Sequence, residues 1–445
     1  MKLLEQNASE NIGQMEHLES RGVKVRSRWA RNLVTFLMIM GPGLIVMEAD
    51  NDAGAVSTYV QGGAQYGTHL LWLLLFLLPC TYFVQEMVVR LGIATGKGHA
   101  AMIYQRFGKW WGLFSFLDLL VLNLLTLVTE FAAIALASRG LGIPPAAGVT
   151  VAAAGMIAIV ATGSYRRWER VVVVLCLLDL YWLFMGFRLA PSMNEVVYST
   201  LIPSAPAGGL TQDYVFLVIA IVGTTIAPWQ LFFQQSCIAD KRLRFADLNW
   251  SRLDTFLGAC LTIVVAGCMM LVGNYARVHG ISFEDPAQMA DALFGLTGNA
   301  VRIGILLLMI NAALLGTTAI SLSSAWAYGE IKGFAHSLEF RVREAPGFYA
   351  VYLACVALAA GVVLIPGMPL QLIILSVQVL AGIMLPSAII FLQLLLNDRE
   401  LLGEEFVNRR WNNIVNWTMI LVLFVLSLLL AVQVIAPDLV RANLG

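Results

Sequence analysis

The stretch GPGLIVMEADNDAGAVSTYVQGGAQYG, residues 41–67, is apolar enough to lie in a bilayer, yet it sets Glu48, Asp50, Asn51 and Asp52 within five residues near its middle. An ionised carboxylate at that depth is expensive and functional by default. In a continuous helix Glu48 and Asp52 share a face while Asp50 points elsewhere, a rule that an unwound segment relaxes. Gly43 precedes the acids and Gly54 follows them, so the helix is expected to open beside Gly54, which favours Asp52 as the working carboxylate.

A second stretch, GTTIAPWQLFFQQS at 223–236, is broken in another way. Pro228 lacks a backbone donor and clashes with the carbonyl four residues earlier, that of Thr224. Exposed backbone groups in lipid cost several kcal/mol each, so such breaks survive where protein or a watery cavity satisfies them. Interrupted segments at corresponding places in two halves point to the midplane binding site of an inverted-repeat transporter. A proline kink beside an incidental polar patch is the plainer alternative.

The rest of the chain supports a membrane setting. Of 445 residues, 59% are hydrophobic and 13% charged, with a mean hydropathy of +0.77, more apolar surface than one water-soluble core can hide. Stretches of the roughly 20 residues needed to cross a bilayer recur at 34–62, 69–92, 112–138, 146–164, 170–190, 213–238, 253–278, 300–329, 348–366, 370–396 and 414–436. The expected fold is an all-α polytopic membrane protein of the LeuT type. Residues 31–190 form a first five-helix repeat, 213–396 an inverted second one and 414–436 an eleventh helix, with spans one and six unwound at the midplane. Residues 1–30 are polar and lack an apolar signal core, and are read as a cytoplasmic tail.

Lys and Arg gather in alternate connections. Of the 28, only Arg139, Arg188, Arg277, Arg302 and Arg441 fall on the opposite side. This places the chain in the inner, plasma membrane with a cytoplasmic amino terminus and an external carboxyl terminus. The formal charge is zero and the basic residues are thinly spread, which excludes a nucleic-acid footprint. The six cysteines lack CxxC spacing and read as small core residues. No HExxH and no span with a nucleophile beside a histidine base is present, so no enzyme is expected.

These residues resemble the natural-resistance-associated macrophage protein (Nramp) family of divalent-metal transporters across nearly the whole membrane region. RLGIATGKG at 90–98, GTTAISLSSAWAYGEIKGF at 316–334 and ILSVQVLAGIMLP at 374–386 look like the family's second, eighth and tenth spans. The family's DPGN signature corresponds to Asp52, Ala53, Gly54 and Ala55, and its MPHN signature to Ala227, Pro228, Trp229 and Gln230. The resemblance implies that Asp52, the carbonyls of Ala49 and Thr224, and the span-ten glutamine Gln378 hold the ion. Ala55 replaces the family's asparagine ligand, Ala227 its methionine and Trp229 its histidine.

A thioether favours transition metals, whereas carboxylate, carbonyl and water suit Mg²⁺ and Ca²⁺. Mg²⁺ keeps several waters and is held by one or two carboxylates. Two ligand positions shortened to alanine give a hydrated ion room, with Gln230 and Gln378, then Asn51 and Thr225, to bond its water shell. This matches the Nramp-related magnesium transporter branch. The expectation is a monomer that imports hydrated Mg²⁺, and also Mn²⁺, as substrate, with no resident cofactor.

The five histidines are expected in tails or loops. The relay acids that proton-coupled members carry in span three fall on Thr126 and Thr129, with Glu130 one residue off. Transport is therefore expected without obligatory proton movement. At about 2.3 kcal/mol per charge per 100 mV, a dication gains about 4.6 kcal/mol on moving in, over a thousandfold in concentration ratio. Two alternatives stand beside this: a proton-coupled Mn²⁺ or Fe²⁺ transporter, and a membrane metal sensor or scaffold. Glu86, Asp118, Asp179, Asp254 and Glu330 read as interfacial or paired structural groups.

Overall fold

The computed structural model describes Phe36 and residues 39–435, apart from Ala205 and 207–210. The tail at 1–30, the first residues of span one, Arg441 and the end of span eleven lie outside the described residues.

Every regular element described is helical. Span one is α1 (Pro42–Glu48) and α2 (Ala53–Tyr66), followed by α3 (Leu71–Thr95), α4 (His99–Phe107), α5 (Lys109–Gly140) and α6 (Pro145–Val160). Span five is α7 (Tyr165–Leu178) and α8 (Tyr181–Leu189), and α9 (Met193–Leu201) follows. Span six is α10 (Gln212–Thr225) and α11 (Pro228–Lys241). Then come α12 (Leu248–Val278), α13 (Pro286–Thr297), α14 (Asn299–Lys332), α15 (Pro346–Val363), α16 (Leu370–Leu395), α17 (Arg399–Phe406) and α18 (Arg410–Ile435). Eight of the described helical stretches are long and apolar enough to cross a membrane. The two halves of span one, the shorter α6 and the carboxyl-terminal α18 complete the pattern read from hydropathy.

The core is built around span one. Gly63 of α2 faces the carbonyl of Met270, and Gly273 of α12 faces that of Val60, so a side chain at either glycine would strike backbone. Small residues of this kind let helices approach in lipid. The start of α1 is held differently. The backbone N–H groups of Gly41, Gly43 and Leu44 donate to the Asp254 carboxylate at 3.3, 2.7 and 3.2 Å. Lys241 Nζ donates to the carbonyls of Ile39 and Met40 and to Glu169 at 2.6 Å. An N-terminus without its own capping side chain is thus capped from α12.

Most acids outside span one are structural, as expected. Glu86 pairs with Arg90 and Arg252, Asp118 accepts from Ser387, and Glu330 accepts from Ser236 and from the Ala101 N–H. Two expectations fail. His99 is no loop residue: it opens α4, is fully buried, and donates from Nδ1 to Gln235 Oε1 at 2.8 Å, while Gln235 donates onward to the Lys97 carbonyl. Burial of the neutral ring lowers its pKa to about 4. Span five, expected as one helix, breaks at Asp179 and Leu180, although no Gly or Pro is there.

Candidate metal-ion site

The break in span one falls at residues 49–52, ahead of Gly54, which lies inside α2. Asp52 is therefore more than a residue beside an opening; it is the N-cap of α2, its Oδ1 accepting the Ala55 N–H at 2.8 Å. Glu130 of α5 takes the Ala53 N–H on Oε2 at 3.1 Å. In an unbroken helix those two N–H groups would pair with the carbonyls of Asn51 and Ala49. Diverted to carboxylates, they leave these carbonyls free to face a cation. In span six Pro228 offers no N–H to the Thr224 carbonyl, and Ala227 caps α11 in an extended conformation.

The two breaks meet through glutamines. Gln230 donates to Asp50 Oδ1 and accepts from Gln85 Nε2 at 2.7 Å. Gln378 closes the site from α16: the point beside Gly54 that a Cβ would fill is occupied by its amide and flanked by Asp52 Oδ1. Its Nε2 is buried without a partner, as are Asp50 Oδ2, Thr224 Oγ1 and Glu130 Oε1.

The site is closed to water. Asp52 is 3% exposed, Ala227 5%, Gln378 and Thr224 2%, and Ala49, Asn51, Ala55, Thr225 and Gln230 are fully buried. A cavity of about 490 Å³ opens elsewhere, between Lys97, Ser236, Asp240, Glu330 and His336, and does not reach these residues.

Of the residues proposed from sequence, Asp52, Ala49, Ala55, Thr224, Ala227, Gln230 and Gln378 lie along the two breaks or across them. Two contribute less than expected. The Asn51 carboxamide turns away to the Thr262 carbonyl at 3.4 Å, leaving its backbone carbonyl. The Thr225 hydroxyl is spent on the Ile221 carbonyl at 2.6 Å and meets Tyr59 Oη at 2.8 Å. Asp50, set aside because a helix would point it elsewhere, joins the site through Gln230. Glu130 reaches the Ala53 N–H beside Asp52, whereas Thr126 and Thr129 bond back within their own helix. Trp229 packs near Phe233, ring centres 6.0 Å apart, as a wall residue. Among the described residues no three His, Cys, Asp or Glu side chains cluster so as to hold a metal ion.

With this geometry in place, the sequence profile described as Nramp, natural resistance-associated macrophage protein-like, matches residues 43–433. The chain belongs to the Nramp family. It is a family of transporters, not enzymes, and its members move divalent metal. The chain is 27% identical over 427 residues to the divalent metal cation transporter MntH of Staphylococcus aureus strain bovine RF122 / ET3-1, covering 90% of this chain and 92% of that protein. MntH of strain JH9 is 28% identical over the same length and shares. The crystal structure of the Eremococcus coleocola manganese transporter, 20% identical, superposes with a TM-score of 0.73, covering 94% of this chain and 90% of that one. The fold extends further, to MhsT in complex with L-phenylalanine, at a TM-score of 0.60, 14% identity and coverage of 88% and 98%. This Nramp chain is thus an all-helical, multi-pass membrane protein with a LeuT-type fold.

Proposed function

We propose that this Nramp chain imports Mg²⁺ with part of its water shell, and also Mn²⁺, by alternating access across the plasma membrane, driven by the electrochemical gradient without obligatory proton movement. The observation that carries this reading is an all-oxygen donor set. Asp52 caps α2 at one break, the carbonyls of Ala49 and Thr224 lose their helical partners at the two breaks, and alanine stands at 55 and 227, where the resemblance to the family puts asparagine and methionine. Hard oxygen donors with room for water suit Mg²⁺, and no thioether is present to favour transition metals. Gln378 and Gln230 bond the water shell, Gln230 trading its Asp50 contact for a water. The amino terminus is cytoplasmic in this scheme, and the protein acts as a monomer.

A second reading, proton-coupled Mn²⁺ or Fe²⁺ transport, is favoured by Glu130, an acid of α5 that reaches the break in span one beside Asp52 by accepting the Ala53 N–H. The solved and curated relatives named for manganese and for divalent metal lean the same way. One experiment separates the two: uptake of Mg²⁺, Mn²⁺ and Ca²⁺ in competition, in proteoliposomes at fixed potential, with internal pH recorded. Mg²⁺ accumulation without acidification supports the first reading. Acidification tracking Mn²⁺, with Mg²⁺ excluded, replaces it by the second. Saturable binding without accumulation would point to a sensor. Asp52→Ala, correctly folded, should abolish accumulation in either transport scheme.

A further inference from the structure

The connection between spans five and six carries an apolar face that no described residue covers. α9 reads MNEVVYSTL from Met193 to Leu201, and at about 100° per residue Met193, Val197 and Leu201 fall on one side with Tyr198 beside them. All four are more than half exposed, and Ile202, next along the chain, is exposed as well. Only Asn194 interrupts this side, in the first turn. The opposite side is occupied. Val196 packs against the core, and the buried Ser199 donates to Thr68 Oγ1 at 3.0 Å in the turn between α2 and α3. Thr68 donates onward to Glu195 Oε1 at 3.5 Å, and His69 Nδ1 of the same turn lies 2.9 Å from Ser204 Oγ.

Two anchors fix the level at which this helix lies. Only Ala190 to Ser192 separate it from α8, so it starts within about 14 Å of the end of span five. Its inner side rests on Thr68 and the turn that leads into Leu71, the start of span two. A helix held between the ends of two spans lies at the surface of the bilayer. Its bare side also continues the lipid-facing surface of span five, where Phe184 and Phe187 are exposed on α8. A protein partner fits poorly, because nine residues make a face only about 14 Å long, far short of the roughly 800 Å² per partner in a stable interface.

We infer that α9 is an interfacial helix whose face of Met193, Val197, Tyr198 and Leu201 is seated in the boundary between lipid headgroups and acyl chains. Helices of this kind sink their apolar side roughly 5–10 Å into that boundary, and tyrosine is favoured at the same depth. α9 carries no Lys or Arg, so apolar burial holds it and lipid phosphate does not. The seating is therefore the same on neutral and anionic membranes and at low and high salt. Through Ser199 and Ser204 the helix also holds the turn between α2 and α3 at a fixed height against the bilayer, which gives the second half of span one a footing on the membrane surface. That surface is the external one in the orientation proposed above, and the seating itself does not depend on the orientation.

The test places a nitroxide at Val197→Cys or Leu201→Cys, one at a time, on the full-length protein in phosphatidylcholine nanodiscs, with Cys260→Ala removing the one cysteine that is not buried. Both labelled side chains are exposed, so the substitutions disturb no packing. Power saturation reads collisions with oxygen, which concentrates among lipid tails, and with a neutral nickel chelate, which stays in water. Glu284→Cys, on an exposed loop, marks water, and Phe187→Cys marks lipid. Both α9 labels should show an oxygen-to-nickel ratio severalfold above that of Glu284→Cys, unchanged when phosphatidylglycerol replaces part of the lipid or when NaCl is raised. The inference is overturned if the ratio at both positions equals that of Glu284→Cys, since the face then stands in water. It is equally overturned if both reagents are excluded and the labels immobilised, which marks a protein neighbour such as a second copy, or if the lipid signature requires the anionic lipid, which marks a headgroup site.

Discussion

Asp254→Asn should release the start of α1 while leaving the fold intact. In the closed structure the Asp254 carboxylate receives three backbone N–H groups, two on Oδ2 and one on Oδ1. A hydrogen bond to a charged group is worth about 1.5–3 kcal/mol and a neutral one about 0.5–1.5. Asparagine of the same size keeps one accepting oxygen, so one bond is lost and the remainder weakened, a loss of roughly 2–4 kcal/mol. At about 1.4 kcal/mol per factor of ten, the opening of residues 41–47 away from α12 becomes roughly thirty- to a thousandfold more populated. Amide hydrogen exchange in nanodiscs reads that ratio directly, because exchange from a locally opened segment follows its opening free energy. Peptides covering 41–47 should exchange faster by that factor, while those covering 266–276, packed against α2, should not change. Unaltered exchange at 41–47 in a folded Asp254→Asn protein would refute the claim that this carboxylate fastens α1.

Three further outcomes follow from the same structure. Gly223→Ala drives a methyl into the backbone of Gln378 and Gly382 and should cost about 1–3 kcal/mol of thermal stability, whereas Gly54→Ala meets side-chain atoms, the amide of Gln378 and Asp52 Oδ1. Gly54→Ala should therefore slow uptake with little change in midpoint; equal midpoints for both variants would contradict the packing. His99 is neutral and buried, with its pKa lowered to about 4 from an ordinary 6.5, so its contribution is whole above pH 6.5 and is lost as pH falls toward 4. At pH 5 the loss is about 2 kcal/mol, and a folded His99→Gln should show a correspondingly shallower fall in midpoint between pH 7.5 and 5 than the parent. Ala227→Met restores a thioether and should move the Mn²⁺ to Mg²⁺ uptake ratio about tenfold toward Mn²⁺ in competition assays, or about 1.4 kcal/mol.

Features that act locally were legible in the sequence. Pro228 breaks a helix through its own ring, and carboxylates crowded into an apolar span mark a second break, so both breaks could be read from the chain alone, whereas the capping by Asp52, read instead as an opening beside Gly54, could not. Nor could the supporting contacts. Gln230 reaches Asp50 across 180 positions, and Glu130 reaches Ala53 across 77, distances over which no periodicity carries information. Glu130 stands one residue off in an ungapped match for a related reason: such a match assigns residues to positions, but the rotation of α5 decides which of Thr126, Thr129 and Glu130 faces span one. His99 looked like a loop residue because its burial comes from α11, far along the chain. The interruption at Asp179 left no trace, having neither glycine nor proline to announce it.

Asp52 caps α2 with the same carboxylate that holds the ion in the transport scheme proposed above, and in that scheme this sets a ceiling on how tightly the ion can be held. The amino end of a helix carries positive partial charge, so α2 points its unfavourable pole at a cation. Metal held there would compete with the N–H groups of Ala53 and Ala55 for the carboxylates of Glu130 and Asp52. Every increment of charge drawn toward the ion loosens the first turn of α2, a turn whose cap is worth about 1 kcal/mol. A carrier that gripped its cargo without such a rival would bind better and turn over more slowly. Competition built into one carboxylate keeps arrival and departure comparably easy.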